Sequence, residues 1–163
     1  MGEIAQKISK LEKDELISIL NEAYAEEWLA YYQYWIGAKI AKGIERTNIV
    51  SEFIEHSNEE FKHLEMLADR IIELGGTPII EFDNISKQAK CKYLAPDDED
   101  TKYLVAQNLS SERCAILRYQ EICEKTQGKD YITFNISRKI LKEEIEHEQE
   151  MEDFIADFEY YKS

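Results

Sequence analysis

Apolar residues recur at steps of three and four along four long stretches of this chain, and that periodicity predicts four long helices. The first spans about residues 11–42, with Leu16, Leu20, Ala23, Ala30, Tyr34 and Ala38 on its apolar side and Gly43 as its stop. The second spans about 46–74, with a buried stripe of Val50, Phe53, Ile54, Leu64, Leu67 and Ile71, and ends at Gly75-Gly76. Between about 77 and 100 the pattern lapses; both prolines lie here, and only Asn84 to Cys91 could add a short helix. Pro96 and the acids Asp97 to Asp100 then start a third helix of about 101–126, whose shared face holds Asn108, Ala115, Ile116, Tyr119 and Cys123. A fourth opens at Asp130 and runs to about 160 on Ile136, Ile140, Leu141, Met151, Phe154 and Phe158. The break at 43–45 is short, so the first two helices are antiparallel neighbours. The connection of 77–100 is long enough to cross the bundle, which makes helix three parallel to helix two. The expected architecture is all-α: an antiparallel four-helix bundle with a long crossover between helices 2 and 3, one domain over residues 1–163.

The charge balance narrows the partners. Lys and Arg number 20 against 34 acids, a net charge of −14, which disfavours nucleic acid because binding there rests on neutralising phosphates. An acidic surface attracts cations, although it also serves plain solubility. No apolar run reaches membrane-span length, and Met1-Gly2-Glu3-Ile4 leads into a charged segment rather than a signal peptide. Lys7 stands where a myristoylation motif would place Ser or Thr. The expectation is a cytoplasmic protein in which three cysteines do not form a secreted disulfide framework.

Two stretches carry metal-ligand spacing. Glu60-Phe61-Lys62-His63 and Glu144-Ile145-Glu146-His147 each place a carboxylate and an imidazole three residues apart, on one helical face. Surface Glu–His contacts at this spacing are common, so position must decide. Glu27 shares a face with Leu20, Tyr31 and Tyr34, whereas Glu26 lies 100° away with Glu15 and Glu22; Glu27 is the inward acid of helix one. Glu112 is the acid in the stripe of helix three. Glu27 precedes Glu60 by 33 residues and Glu112 precedes Glu144 by 32, so each hairpin repeats a lone Glu followed by Glu-x-x-His. That pattern predicts a dinuclear carboxylate site in a four-helix bundle. Hard carboxylate oxygens with imidazoles suit iron, and other divalent metals fit the same donors.

On the stretches Glu27 to Tyr34, Glu60 to His63, Glu112 to Ile116 and Glu143 to Glu148, the chain resembles the ferritin-like superfamily over nearly its whole length. The resemblance is to a bacterioferritin-like di-iron site within one subunit. It implies that Glu60 and Glu144 bridge two irons, that Glu27 and Glu112 are terminal carboxylates, and that His63 and His147 are terminal imidazoles. Phe61 replaces the methionine that ligates haem in bacterioferritin, so no haem is expected. The chain ends at Ser163, too soon for the fifth helix of the 24-subunit ferritins. The stretch from Cys91 to Pro96, with Cys123, is similar to the Dps-like thioferritins, which implies a twelve-subunit homo-oligomeric cage with a cysteine pair beside the site. DNA-protecting ferritins proper build their site between subunits, and the full four-helix donor set argues against that here.

The activity expected from this resemblance is that of a ferroxidase: Fe(II) is oxidised by H2O2 or O2, and Fe(III) is stored in the cage as protection against oxidative stress. Leu64, Ile116 and Ile140 would shield the site. A rubrerythrin-like peroxidase without storage is the alternative, although the chain lacks a rubredoxin-type Cys-x-x-Cys; a di-iron oxygenase component is a third. Tyr34 could donate a hydrogen bond to the site, but an ordinary core tyrosine is the commoner case. His56, Glu59 and Glu148 could assist iron access, or be a partly buried histidine and solvated acids. Cys114 faces away from Glu112 while Cys123 lies near its helical angle, so Cys91 and Cys123 are the preferred redox pair, against three reduced, buried thiols.

Overall fold

The computed structural model describes residues 4 and 7–160. The expectations for residues 1–3 and for the tail beyond 160 lie outside the described residues. Four long helices make up the body: α1 (Lys13–Ile40), α2 (Arg46–Glu73), α4 (Thr101–Thr126) and α5 (Tyr131–Tyr160). In the crossover a 3-10 turn, Phe82–Asn84, leads into the single-turn helix α3 (Ile85–Gln88). No named strand occurs among the described residues, and the fold is the all-α bundle expected from the periodicity. No helix among the described residues is long and apolar enough to cross a membrane.

The ends of the helices follow from local chemistry. Ala41 leaves the helical region at ψ 131, and the Lys42 N–H turns to the Glu99 carbonyl at 2.8 Å, so α1 stops two residues short of Lys42. Gly43 has φ 111 in the left-handed region, and a Cβ there would meet Asp100 Oδ2 at 2.7 Å. The turn at 41–45 is therefore fastened to the start of α4, where the Thr101 N–H reaches the Lys42 carbonyl at 2.8 Å. Asp100 caps α4 by accepting from the Lys102 N–H. At the opposite end Arg70 of α2 donates to both carboxylate oxygens of Asp130, which also accepts from the Thr133 N–H to cap α5. The start of α4 thus lies beside the start of α2, and the two helices run parallel as the crossover length implied.

α1 packs along α2, and α4 along α5. Their shared interior holds two apolar layers. One contains Ile49, Phe53, Leu104, Val105, Met151 and Phe158; the other contains Leu16, Leu20, Leu67, Ile71, Ile122 and Ile140. Fully burying such a side chain contributes about 1.5–3 kcal/mol. Ile54 departs from expectation: it sits 100° beyond Phe53 and is 40% exposed, so it is not part of the buried stripe. On the outer side of α1, Ile85 and Ala89 of the crossover pack against Ala25, Trp28 and Leu29. This places the crossover over the back of α1, where periodicity had assigned a polar face.

Candidate metal centre

Each long helix projects acid into the zone between the two apolar layers. Glu27 comes from α1, Glu60 and His63 from α2, Glu112 from α4, and Glu144 and His147 from α5; all six are buried. Glu60 and His63, like Glu144 and His147, meet because residues three apart stack on one helical face. His63 Nδ1 lies 3.0 Å from Glu60 Oε2, 3.2 Å from Glu144 Oε1 and 3.3 Å from Glu27 Oε2. His147 Nδ1 lies 3.4 Å from Glu60 Oε1, 3.5 Å from Glu144 Oε2 and 3.9 Å from Glu112 Oε2. Two donor sets result, each with its ligand atoms within 4.8 Å: Glu27, Glu60, His63 and Glu144, then Glu60, Glu112, Glu144 and His147. Glu60 and Glu144 belong to both.

A surrounding set of side chains orients these donors. His63 Nε2 bonds Glu143 Oε2 at 2.9 Å, and His147 Nε2 bonds Glu59 Oε2 at 2.8 Å. An Nε2–H donated outward leaves the Nδ1 lone pair facing the centre, the tautomer a metal needs. Tyr119 donates to Glu27 Oε1, and Tyr34 donates to Glu112 Oε1. One oxygen of each terminal carboxylate is thereby occupied, and Oε2 is left for the centre. The two halves are related by a pseudo-twofold exchange: each tyrosine lies seven residues after the lone Glu of its own helix and serves the Glu of the other. Tyr34 thus has the hydrogen-bonding position, not merely a core one. Tyr119 and Glu143 were missed from sequence, although the matching seven-residue offset and the matching Glu-Glu pairs at 59–60 and 143–144 were available signals.

The electrostatics of the six side chains suit cations. Glu60 Oε1, both oxygens of Glu144, Glu27 Oε2 and His147 Nδ1 are buried with no hydrogen-bond partner among the described residues. Orphaned acceptors on this scale are expensive in a low-dielectric interior unless a positive charge meets them. Burial alone would lower the pKa of His147, but Glu144 and Glu60 outweigh it and push it up to about 12. His63 shifts the same way: burial opposes, while Glu143, Glu144, Glu27 and Glu60 prevail. Burial, then the charge of Glu60, holds the Glu27 carboxyl well above the usual range; burial, then Glu144, does the same to Glu112. Protons thus hold the places that cations would take, and the donor set fits a pair of divalent metal ions.

Two cavities reach this zone. One of about 270 Å3 runs between α1, α4 and the crossover, past Lys90, Cys91, Tyr93 and Cys114 to Glu27, Glu60, Glu112 and Glu144. The other, about 360 Å3, opens between α2 and α5 on the His147 side.

The model of the Ferritin-like domain family matches residues 17–160. The chain belongs to the ferritin-like family. It is similar to the "DNA protection during starvation protein" of Pyrococcus furiosus, 36% identical over 149 residues that cover 90% of this chain and 80% of that protein. It is also similar to a dodecameric thioferritin, the bacterioferritin-related protein of Bacteroides fragilis, with TM-score 0.97 and 48% identity, covering 99% of this chain and 97% of that one. The Dps of Thermosynechococcus elongatus shares the fold at TM-score 0.83 and 18% identity, covering 88% of this chain and 91% of its own.

The cysteines of this ferritin-like chain correct the expected pairing. Cys91 is bonded to Cys114, with Cα atoms 5.9 Å apart, while Cys123 is a free, buried thiol. The side of α4 that turns away from the apolar stripe is the side the crossover covers, so Cys114 meets Cys91. Cys123, nine residues further on, lies about 13 Å along the helix. The same covering explains Glu26, which is 7% exposed rather than solvated. It accepts from the Lys90 N–H at 2.8 Å and faces Arg118 Nε at 3.3 Å. Glu148, by contrast, stays on the surface and bonds Arg113 at 2.9 Å. His56 is buried, its ring stacks on that of His147 at 3.9 Å, and its Nε2 lies 2.7 Å from Glu150 Oε2.

Proposed function

We propose that this chain is a ferroxidase and iron-storage protein that oxidises Fe(II) at a di-iron site inside each subunit and retains Fe(III) in a twelve-subunit cage. The observation that carries this reading is the pair of donor sets sharing Glu60 and Glu144. Shared carboxylates hold two cations close enough to act on one oxidant, and four carboxylates balance the charge of two Fe(II). The dodecameric assembly of the 48% identical thioferritin supports the cage.

With H2O2 as oxidant the balance is 2 Fe(II) + H2O2 + 2 H+ → 2 Fe(III) + 2 H2O. In this reaction Glu27 with His63, and Glu112 with His147, hold the two substrate ions at the ends, and Glu60 and Glu144 hold them together. Tyr119 and Tyr34 fix the terminal carboxylates, and Glu143 and Glu59 fix the imidazole tautomers. Leu64 and Ile140, both buried, keep bulk water from the zone. O2 is a second electron acceptor for the same site. A net charge of −14 does not favour DNA as a partner.

The disulfide in the wall of the smaller cavity supports a second reading. A Cys91–Cys114 dithiol could supply two electrons to H2O2, forming the disulfide and two waters, in a peroxidase that stores no iron. Stopped-flow Fe(II) oxidation under H2O2 and under O2, with sizing before and after loading, separates the readings. Storage is expected to give two Fe(II) oxidised per subunit, iron retained in a large assembly, and loss of the fast phase in Glu60→Ala/Glu144→Ala. An unchanged rate in that variant, or a small assembly without iron, refutes it.

A further inference from the structure

The cavity between α1, α4 and the crossover carries a hydrogen-bonding group that the six-residue centre does not use. Gln33 of α1 lines it and is 4% exposed. Its amide nitrogen donates to Asn108 Oδ1 at 2.9 Å and to Ser111 Oγ at 2.8 Å. We propose that the remaining polar atom, the Gln33 carbonyl oxygen Oε1, accepts a hydrogen bond from H2O2 in this cavity and so sets a preference of the site for H2O2 over O2. The inference deepens the ferroxidase reading above and rests on it.

The sense of the Gln33 amide is fixed from the backbone outward. The Leu104 carbonyl can only accept, so Asn108 turns its Nδ2 to it at 2.9 Å and its Oδ1 to Gln33. Gln33 must then present its nitrogen to Asn108 and hold its oxygen away. The Ser111 hydroxyl faces the Gln107 carbonyl, 3.5 Å away, and takes the second hydrogen of the same nitrogen. Both amide hydrogens are thereby committed, and no donor among the described residues pairs with Oε1.

The rest of the wall makes this oxygen selective. Leu29, Ala30 and Ala115 are apolar, while Lys90 is held by Glu22 and Lys92 by the Ser86 carbonyl. In the ferroxidase the four central carboxylates hold Fe(II), which leaves Gln33 Oε1 as a neutral acceptor beside them. It is close to the centre: Gln33 meets Ser111 one residue before Tyr34 meets Glu112, so the amide flanks a terminal carboxylate. H2O2 carries two O–H donors and O2 carries none. A fixed acceptor in this wall therefore binds peroxide and offers nothing to O2.

The test uses the assembled protein with the Cys91–Cys114 bond intact, so that no dithiol reduces the oxidant. Fe(II) oxidation by wild type and by Gln33→Met is followed in stopped flow over a range of H2O2 and, separately, of O2. Catalase in the O2 arm removes the H2O2 that two-electron reduction of O2 releases. One hydrogen bond to an uncharged ligand predicts that KM for H2O2 rises about three- to tenfold in the variant, and that the H2O2-to-O2 rate ratio at low oxidant falls by the same factor. An equal loss under both oxidants with KM for H2O2 unchanged makes Gln33 a packing residue and overturns the inference. No oxidation by wild type under either oxidant defeats the ferroxidase reading, and the inference falls with it. A second measurement needs neither turnover nor a variant. Wild-type crystals loaded with Zn(II), which H2O2 does not oxidise, are soaked in H2O2. Two-lobed density at about 2.7–2.8 Å from Gln33 Oε1 is expected; a single water or nothing at that position overturns the inference.

Discussion

Loading the centre with metal should expel about four protons for each pair of divalent ions bound. In the metal-free chain His147 is charged, with a pKa pushed up to about 12, and His63 is shifted in the same direction. Burial works against both shifts and the surrounding carboxylates win. Burial would raise Glu60 and Glu144, but the close approach and charge of His63 and His147 hold both below the ordinary carboxylate range. Glu27 and Glu112 are raised well above it by burial and by their charged neighbours. Two imidazolium ions, two carboxylates and two neutral carboxyls sum to zero. Two divalent ions on four carboxylates and two neutral imidazoles also sum to zero. Passing from one to the other releases two protons from the histidines and two from Glu27 and Glu112. Each proton makes the apparent free energy of loading change by about 1.4 kcal/mol per pH unit, so the pair should weaken by about 5.5 kcal/mol for each unit the pH falls near neutrality. Zn(II) is the suitable probe because it neither donates nor accepts electrons. Calorimetric titration in buffers of different ionisation enthalpy gives the proton count directly, and Glu27→Gln/Glu112→Gln should reduce it to about two. Two protons or fewer from wild type, or loading indifferent to pH, would falsify this assignment of charge.

Other expectations follow from the residues around the centre. Tyr119→Phe and Tyr34→Phe each free an oxygen of a terminal carboxylate, and each should weaken metal binding about tenfold against a chromophoric chelator; no change would reduce both tyrosines to packing. Glu143→Gln and Glu59→Gln remove the carboxylate from the outer nitrogen of one imidazole and should cost about 10- to 100-fold in the same assay. Under denaturing, non-reducing conditions the protein should show one reactive thiol per chain, which Cys123→Ser removes, while reduction brings the wild type to three; three without reductant contradicts the Cys91–Cys114 bond. Asp130→Ala removes the two hydrogen bonds that the buried Arg70 donates to Asp130, leaving it Glu73 and Thr133, and should lower the unfolding free energy by about 2 kcal/mol. Burial tends to raise the Asp130 pKa, but the Thr133 N–H and the Arg70 charge hold it below 3.8. Its stabilisation is therefore present above that value and fades as the pH falls through the folded pKa; acid unfolding of Asp130→Ala should be flatter than that of wild type across this range.

The core-facing half of this protein was open to reading because helix periodicity reports one thing well: which side of a helix meets the other helices. Glu27, Glu60, His63, Glu112, Glu144 and His147 all lie on that side, and the structure brings the six into one buried zone. The near-equal offsets of 33 and 32 residues add information that periodicity alone lacks, since they tie the two hairpins into one repeated unit. What this reasoning could not supply is which residue of one helix meets which residue of another. Tyr34 serves Glu112, not the Glu27 of its own helix, and Tyr119 serves Glu27. Partners on different helices depend on the depth at which helices align, and the axial offset between α1 and α4 is fixed by the turn at 41–45 and the start of α4, through the Lys42–Glu99 and Thr101–Lys42 bonds.

The errors at Glu26 and at the cysteines share one physical cause, which is that a bundle helix can be covered on two sides. Periodicity treats the face opposite the core as solvent. Here the crossover lies over the back of α1 and reaches α4, so Glu26 is buried beneath Lys90 and Cys91, and Cys114 finds a partner that Cys123 cannot reach. A segment with no long apolar stripe gave little warning of this, because it docks through Ile85 and Ala89 rather than through a continuous face. Its few anchors are offset by polar bonds to α1, and the side chains they bury are the ones read as solvated. The consequence reaches function. The covered back is where the smaller cavity passes the disulfide on its way to the carboxylates, while the uncovered cleft between α2 and α5 keeps its acids open to water. One mouth is therefore framed by the disulfide, Tyr93 and the α1–α4 interface, and the other by negative charge. For the ferroxidase proposed above, an uncharged oxidant and a hydrated cation would have opposite preferences between two such openings, and the asymmetry made by the crossover would give them separate paths to one site.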